Sequence, residues 1–128
     1  MPKIRELILV VDDEPRMRRF IRMNLELESY RVIEAENGMV ALEKVRVNLP
    51  DLVILDVMMP EMDGFEFVEE YRKHPDWLDI PVVVLTAKTL TEEDKKRLEG
   101  WVHSLYSKGE RNIEGVVQEI TQKIGEAV

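Results

Sequence analysis

Asp51-Leu52-Val53-Ile54-Leu55-Asp56-Val57-Met58-Met59-Pro60 is the stretch whose reading decides the fold. Four consecutive aliphatic residues, Leu52 to Leu55, stand between two acids, and a proline follows shortly after. A short, wholly apolar run with β-branched residues is the signature of a strand buried on both faces, as inside a parallel sheet. Pro60 and the Asp63-Gly64 pair then stop the strand and turn the chain. Asp56 is therefore expected at the carboxyl end of a central strand, with irregular backbone beyond it. In open α/β sheets ligands and chemistry gather at that edge.

Working outward, Leu7 to Val11 reads as a first strand ending in Asp12-Asp13-Glu14-Pro15. Three consecutive acids at a strand end argue against burial in the core, and Pro15 suits the first turn of a helix. That helix runs to about Glu28, with Met17, Phe20, Ile21, Asn24 and Leu25 on one face at helical spacing. Arg31 to Ala35 is a second strand, and Val40, Ala41, Leu42 and Val45 support a second helix that stops before Pro50. Beyond the central strand, Phe65, Val68 and Tyr71 mark a third helix ending near His74-Pro75. Pro81 to Thr86 is the fourth strand, with proline tolerated at its start. Thr91 caps a fourth helix with acids in its first turn, reaching about Glu99. A fifth strand is placed around Val102 to Ser107, where His103 and Ser104 interrupt the apolar pattern. Ile113, Val116, Val117, Ile120 and Ile124 follow the spacing of a final amphipathic helix.

Strand and helix thus alternate five times, with neither internal repeat nor low-complexity stretch. Such alternation predicts a doubly wound α/β fold with a five-stranded parallel sheet, a flavodoxin-like (βα)5 arrangement. Right-handed crossovers favour strand order 2-1-3-4-5, with the switch point between strands 1 and 3. The expectation is one domain over residues 1–128, either standing alone or part of a longer chain.

Composition narrows the function. The chain has 128 residues, 45% hydrophobic and 34% charged, which is globular rather than disordered. Its formal net charge of −8 repels polyanions, so direct nucleic-acid binding is not expected. The basic cluster Arg16, Arg18, Arg19 and Arg22 reads as a solvated helix face. Cysteine is absent, which excludes disulfides, thiolate metal sites and cysteine nucleophiles and accords with a reducing compartment. The N-terminal apolar run is too short for a signal-peptide core or a membrane span, and the expected location is cytoplasmic.

The polar residues converge once they are placed on this fold. Asp12 and Asp13 end strand 1, Asp56 ends strand 3, Thr86 ends strand 4 and Lys108 ends strand 5, all at one edge. Adjacent strands lie roughly 4.8 Å apart, so carboxylates from strands 1 and 3 can share one cation. Mutual repulsion among three carboxylates is relieved by a hard divalent cation, and magnesium is the natural choice. Asp56 then has the arrangement of a nucleophile that accepts a phosphoryl group. Lys108 would offset charge on the phosphoryl oxygens, and the Thr86 hydroxyl would donate to one of them. The blander readings are a solvated acidic loop, and a Thr86 that only caps its own loop.

These residues resemble the receiver domain of two-component response regulators, over essentially the whole chain. The resemblance rests on Asp12-Asp13, on Asp56 followed by Met58-Met59-Pro60 and Met62-Asp63-Gly64, on Thr86-Ala87 and on Lys108. It implies a metal, Mg2+, held by Asp13, Asp56 and the backbone carbonyl of Met58, with Asp12 acting through water. It implies transfer to Asp56 from a sensor histidine kinase, a phosphotransfer protein or a small phosphodonor. Hydrolysis then removes the group, at a rate tuned by Met58 and Lys88. The domain would be a switch rather than a turnover enzyme, its output passing to a downstream protein through the face of helix 4, strand 5 and helix 5. A monomer, or a weak dimer formed on phosphorylation, is the expected state.

Two departures stand out. Gly109 follows Lys108 where the family usually has proline, so a trans peptide is expected there. Such a Lys-Gly pair resembles receivers attached to hybrid sensor kinases. The family's switch aromatic falls at Leu105, with Tyr106 beside it, and an extra residue lies between Gly100 and Lys108.

Three other classes compete. A haloacid-dehalogenase-type phosphatase would want a second acid two residues after Asp56, where Met58 stands. A flavin-binding flavodoxin would need a phosphate cradle where Asp12-Asp13-Glu14 would repel one. A receiver reduced to a docking module is the closest rival, favoured by Leu105 and Gly109 and opposed by the three acids with Thr86. Elsewhere, His74 is expected exposed in a loop, His103 structural, Trp77 and Trp101 in packing at the surface edge, and Met17 and Met23 in ordinary helix packing. Trp101 is also placed near helix 4, where it can contribute to a partner surface.

Overall fold

The apolar run Leu52–Leu55 forms β3, and it lies in the middle of the sheet, bonded on one side to β1 (Leu7–Val11) and on the other to β4 (Val82–Thr86). The structure is a computed structural model in which residues 6–59, 62–107, 115–120 and 122 are described. With β2 (Arg31–Ala35) beyond β1 and β5 (Ser104–Ser107) beyond β4, the five strands run parallel in the order β2-β1-β3-β4-β5. Every residue of β1, β3 and β4 is buried, as their unbroken apolar composition requires.

Helices cover both faces. On one face α2 (Gly38–Val47), α3 (Gly64–Tyr71) and α4 (Glu92–Leu98) pack Ala41, Val45, Phe67 and Leu98 over Leu9, Val53 and Val84. On the other, α1 (Pro15–Leu27) and α5 (residues 115–120) pack Ile21, Leu25, Val116 and Ile120 over Ile8, Val10 and Ile54. The helix starts follow local chemistry: Glu14, Asn37, Asp63 and Thr91 each accept a backbone N–H of the first turn. Gly100, at φ 81° just past α4, takes a left-handed conformation that suits a residue without a Cβ. β5 begins later than expected, because Trp101 and Val102 still donate back to Leu98 and His103 precedes the strand.

Several side chains depart from the sequence reading. Phe20 is 37% exposed and Met23 56% exposed, so neither packs as expected. Contact with the sheet is made by the narrow row Met17, Ile21 and Leu25, and Phe20 and Asn24 stand on its flank. The amide of Asn24 is spent on the carbonyl of Phe20. Trp77 is buried rather than at the surface edge, in a 3-10 turn (Pro75–Trp77), while Trp101 is partly exposed as expected. His74 stacks on the Trp77 ring with centroids 3.9 Å apart, so it is half-buried rather than free in a loop. The Tyr71 hydroxyl is held by the carbonyls of Trp77 and Ile80, and burial pushes it well above the usual phenol range.

Two of the four arginines assigned to a solvated helix face are instead built into the structure. Arg18 and Arg22, one turn apart on α1, both bind the Glu34 carboxylate of β2, at 2.8 and 2.7 Å. Burial pushes the Glu34 carboxyl up, but the hydrogen bonds from Arg22 and Arg18 together outweigh it and hold the group below its ordinary 4.5. A depressed folded-state value means that the stabilisation is present above the unfolded-state value and is lost as pH falls through the folded one. Glu34→Gln is expected to lower stability by about 1 kcal/mol at neutral pH, a discounted figure for a quarter-exposed pair. Urea unfolding should show that difference shrinking below about pH 4.5 and vanishing in stronger acid. A difference that stays constant with pH would show that the ion pairs do not carry it.

Candidate functional site

Parallel register brings the ends of β1 and β3 level. Val11 lies opposite Leu55, and one residue later the Asp56 N–H donates to the Val11 carbonyl at 2.9 Å, while the Asp12 N–H donates to Ala35 at 3.1 Å. The first residue past each strand is thus still fixed by the sheet, although its side chain already belongs to the edge.

The carboxylates are then aimed locally. Asp12 Oδ1 accepts the Glu14 N–H at 2.9 Å and Asp56 Oδ1 accepts the Met58 N–H at 3.0 Å, the same two-residue turn at both strand ends. Oxygens of Asp12, Asp13 and Asp56 come within 4.8 Å of one another. Asp12 is 2% exposed and Asp56 5%, whereas Asp13 faces solvent. The burial of Asp12 corrects the expectation that this acidic run lies outside the core. Arg18 extends from α1 to donate to the Asp12 carbonyl at 2.7 Å, which adds a tether for that loop.

Thr86, at the end of β4, is also buried, and its hydroxyl donates to Asp56 Oδ1 at 2.7 Å. The same hydroxyl oxygen accepts the Lys88 N–H at 3.2 Å. Beside Asp13 lies a cavity of about 380 Å³ lined by Asp13, Met58, Met59, Asp63 and Lys88. Asp63 also caps α3, accepting the Glu66 N–H at 2.9 Å. Met58 is 54% exposed and forms part of the rim.

The structure therefore brings together Asp12, Asp13, Asp56, Met58, Thr86 and Lys88. Ala87 joins Thr86 to Lys88 in the same loop. Lys108 and Gly109 lie outside the described residues. Leu105 and Tyr106 sit on opposite sides of β5: Leu105, 38% exposed, lines an open groove with Lys95, Leu98, Glu99 and Val102, and Tyr106 packs against the cluster under α1 and α5. Sequence reading missed Arg18 as a support for Asp12. The available signal was an acid, Glu34, following the apolar pair Val32-Ile33 of β2, together with two arginines, Arg18 and Arg22, spaced by one helical turn.

The donor set suits a hard divalent cation: oxygen ligands only, three carboxylates, two of them buried and the third, Asp13, lining an open cavity that leaves room for water and further oxygens. Among the described residues, no helix is long and apolar enough to cross a membrane.

Comparison with known proteins agrees with this geometry. Residues 8–113 match the family model described as the response regulator receiver domain. The transcriptional regulatory protein SrrA of Staphylococcus aureus is 43% identical over 94 residues, 73% of this chain and 36% of SrrA. The chain thus spans about a third of the length of that curated relative. The receiver domain of a signal transduction histidine kinase from Syntrophus aciditrophicus superposes with a TM-score of 0.84 at 30% identity, covering 96% of this chain and 92% of the other. The phosphorylated cyanobacterial phytochrome response regulator RcpA superposes with a TM-score of 0.86 at 26% identity, covering 98% and 97%. Fold, strand-edge acids and these likenesses lead to one conclusion: the chain belongs to the response regulator receiver domain family, the phosphorylation-dependent signalling switches of two-component systems.

Proposed function

We propose that Asp56 is the phospho-acceptor, taking a phosphoryl group from the phosphohistidine of a sensor histidine kinase or phosphotransfer protein, or from a small phosphodonor. The observation that carries this reading is the convergence of the three carboxylates, with the Thr86 hydroxyl and the Met58 N–H both donating to Asp56 Oδ1. Those two donors fix the rotation of the carboxylate, so an oxygen is presented for in-line attack with little reorganisation. A P–O bond forms to Asp56 as the donor's own bond to phosphorus breaks: the P–N bond of phosphohistidine, whose imidazole takes a proton from solvent, or the P–O bond of an acyl phosphate, whose carboxylate departs. Water later cleaves the acyl phosphate of Asp56 and restores the carboxylate.

Asp13, Asp56 and the Met58 carbonyl, with Asp12 through water, would hold magnesium, which would supply positive charge against the phosphoryl oxygens. Thr86 is released from Asp56 Oδ1 to donate to a phosphoryl oxygen, and Lys108 supplies an ammonium. Ala87 and Lys88 move with Thr86, and Met58 and Lys88 at the cavity rim tune access of the hydrolytic water. The switch thereby biases the surface of α4, β5 and α5, with Leu105 as its exposed apolar side chain and Tyr106 as the inward one. A downstream protein is expected on that surface. Residues 1–128 act as one receiver unit in the cytoplasm, monomeric or weakly dimeric when phosphorylated, without direct contact to nucleic acid and without insertion into a membrane.

Incubation with a small acyl phosphate and magnesium is expected to raise the intact mass by one phosphoryl group, reversed by alkali and prevented by chelation. A mass that never changes, with magnesium present and the protein folded, refutes the acceptor reading and leaves a docking module.

A further inference from the structure

Lys88 connects two places that the site description leaves separate. Its N–H donates to Thr86 Oγ1, whose hydroxyl donates to Asp56. Its ammonium lies 3.1 Å from Asp94 Oδ2 and 5.1 Å from the centre of the Phe65 ring. Lys88 also lines the cavity beside the acids, together with Asp13, Met58 and Asp63.

Asp94 is no ordinary surface partner. It closes the capping box of α4: Thr91 N–H donates to Asp94 Oδ2 at 3.0 Å, and Asp94 N–H donates to Thr91 Oγ1 at 3.1 Å. One oxygen, Oδ2, therefore takes both the Thr91 N–H and the Lys88 ammonium. α4 has only seven residues and buries only Leu98, so its first turn depends on these polar contacts. Its last turn is anchored separately, by Arg97 on Glu69 at 2.7 Å and on the Phe65 ring at 4.5 Å.

We propose that Lys88 is a phosphoryl-binding residue shared between two anions, its ammonium resting on Asp94 while Asp56 is unphosphorylated and turning to the phosphoryl group when Asp56 carries one. This rests on the acceptor reading of Asp56. A phosphoryl group, with more than one negative charge and three acceptor oxygens, outcompetes a single carboxylate already shared with a backbone N–H. Loss of the ammonium weakens the capping box, so the first turn of α4 loosens while its last turn stays docked on α3. The state of Asp56 thus reaches α4 through one side chain. Coupling of this kind is reciprocal: whatever the acceptor site does to the clasp, the clasp does to the affinity of the acceptor site.

Reciprocity supplies the test. Beryllium fluoride with magnesium serves as the phosphoryl mimic, titrated calorimetrically into the full chain. Asp94→Asn frees Lys88 and is expected to tighten binding roughly threefold, the scale of a partly exposed ion pair, while Lys88→Met weakens it by a similar factor. In the Lys88→Met background, Asp94→Asn should change nothing, and Lys88→Arg should retain most of the wild-type affinity. Amide exchange of residues 92–95 should quicken on beryllium fluoride binding in the wild type and not in Lys88→Met. An Asp94→Asn variant that binds no tighter, or that tightens equally without Lys88, overturns the inference while leaving the acceptor intact. A wild-type chain that binds no beryllium fluoride overturns the acceptor reading and the clasp with it.

Discussion

Asp56→Asn is expected to lower phosphoryl labelling by roughly three orders of magnitude or more, because it removes the attacking oxygen while leaving its surroundings in place. The amide oxygen of asparagine can still accept from the Thr86 hydroxyl and the Met58 N–H, the two donors now 2.7 and 3.0 Å from Asp56 Oδ1. The strand-end N–H bond to Val11 is unaffected as well. What disappears is the ionised oxygen, and with it one of three carboxylates converging within 4.8 Å. Two effects would then act together: the proposed nucleophile is gone, and of the three carboxylates only Asp12 and Asp13 remain for a cation. Magnesium should accordingly raise the unfolding midpoint of the wild type more than that of the variant. Without divalent cation the order reverses: the variant, relieved of like-charge repulsion, should be the more stable of the two by about 1 kcal/mol. Labelling of Asp56→Asn at the wild-type rate, read by intact mass, would move the acceptor elsewhere.

Much of this arrangement is legible in the sequence because the informative signals are local. An aliphatic run such as Leu52–Leu55, too short for a helix and set in a βα alternation, fits the centre of a parallel sheet, and its position fixes where Asp56 emerges. The same reasoning holds for Leu7–Val11 with Asp12 and for Val82–Thr86, so the acids and Thr86 fall at one edge once strand order is set. Illegible features are those decided by contacts that no periodicity in the sequence marks, whether near or far along the chain. Arg18 and Arg22 look like solvent-facing residues until β2 places Glu34 beside them. Lys88 and Asp94 are separated by the turn that starts α4, and only the fold of that turn makes them partners. Asp12 is a further case: three successive acids suggest exposure, yet the sheet hydrogen bond to Ala35 draws the first of them inward. Trp77 is illegible for a similar reason, since its burial follows from the 3-10 turn rather than from any helical or strand periodicity.

Gly64→Ala opposes two rules of thumb, and the geometry decides between them. Gly64 is the first residue of α3 and does not have a positive φ, so helix propensity alone favours alanine by about 1 kcal/mol. A Cβ at this position, however, would stand 2.5 Å from the Cα of Val57, 2.8 Å from the Asp56 carbonyl oxygen and 2.8 Å from Val57 Cγ1. Two of those atoms are backbone at the end of β3, and the Gly64 N–H is itself bonded to the Val57 carbonyl at 3.1 Å. No rotamer change relieves the clash; either α3 lifts or the residues after Asp56 shift. The expected loss of stability is about 3 kcal/mol, at the upper end for overpacking because the obstruction is main chain. Phosphoryl labelling should fall as well, since Val57 joins Asp56 to the Met58 N–H that orients its carboxylate. Gly38→Ala provides the contrast, since its nearest obstacle is the Met62 side chain at 2.7 Å, which can swing aside, although the Met62 carbonyl oxygen at 2.9 Å still resists. Chemical unfolding of the two variants should therefore rank Gly64→Ala as clearly the less stable. A Gly64→Ala protein as stable as the wild type would mean that α3 is free to slide over β3, and the rigid support argued for Asp56 would fall with it.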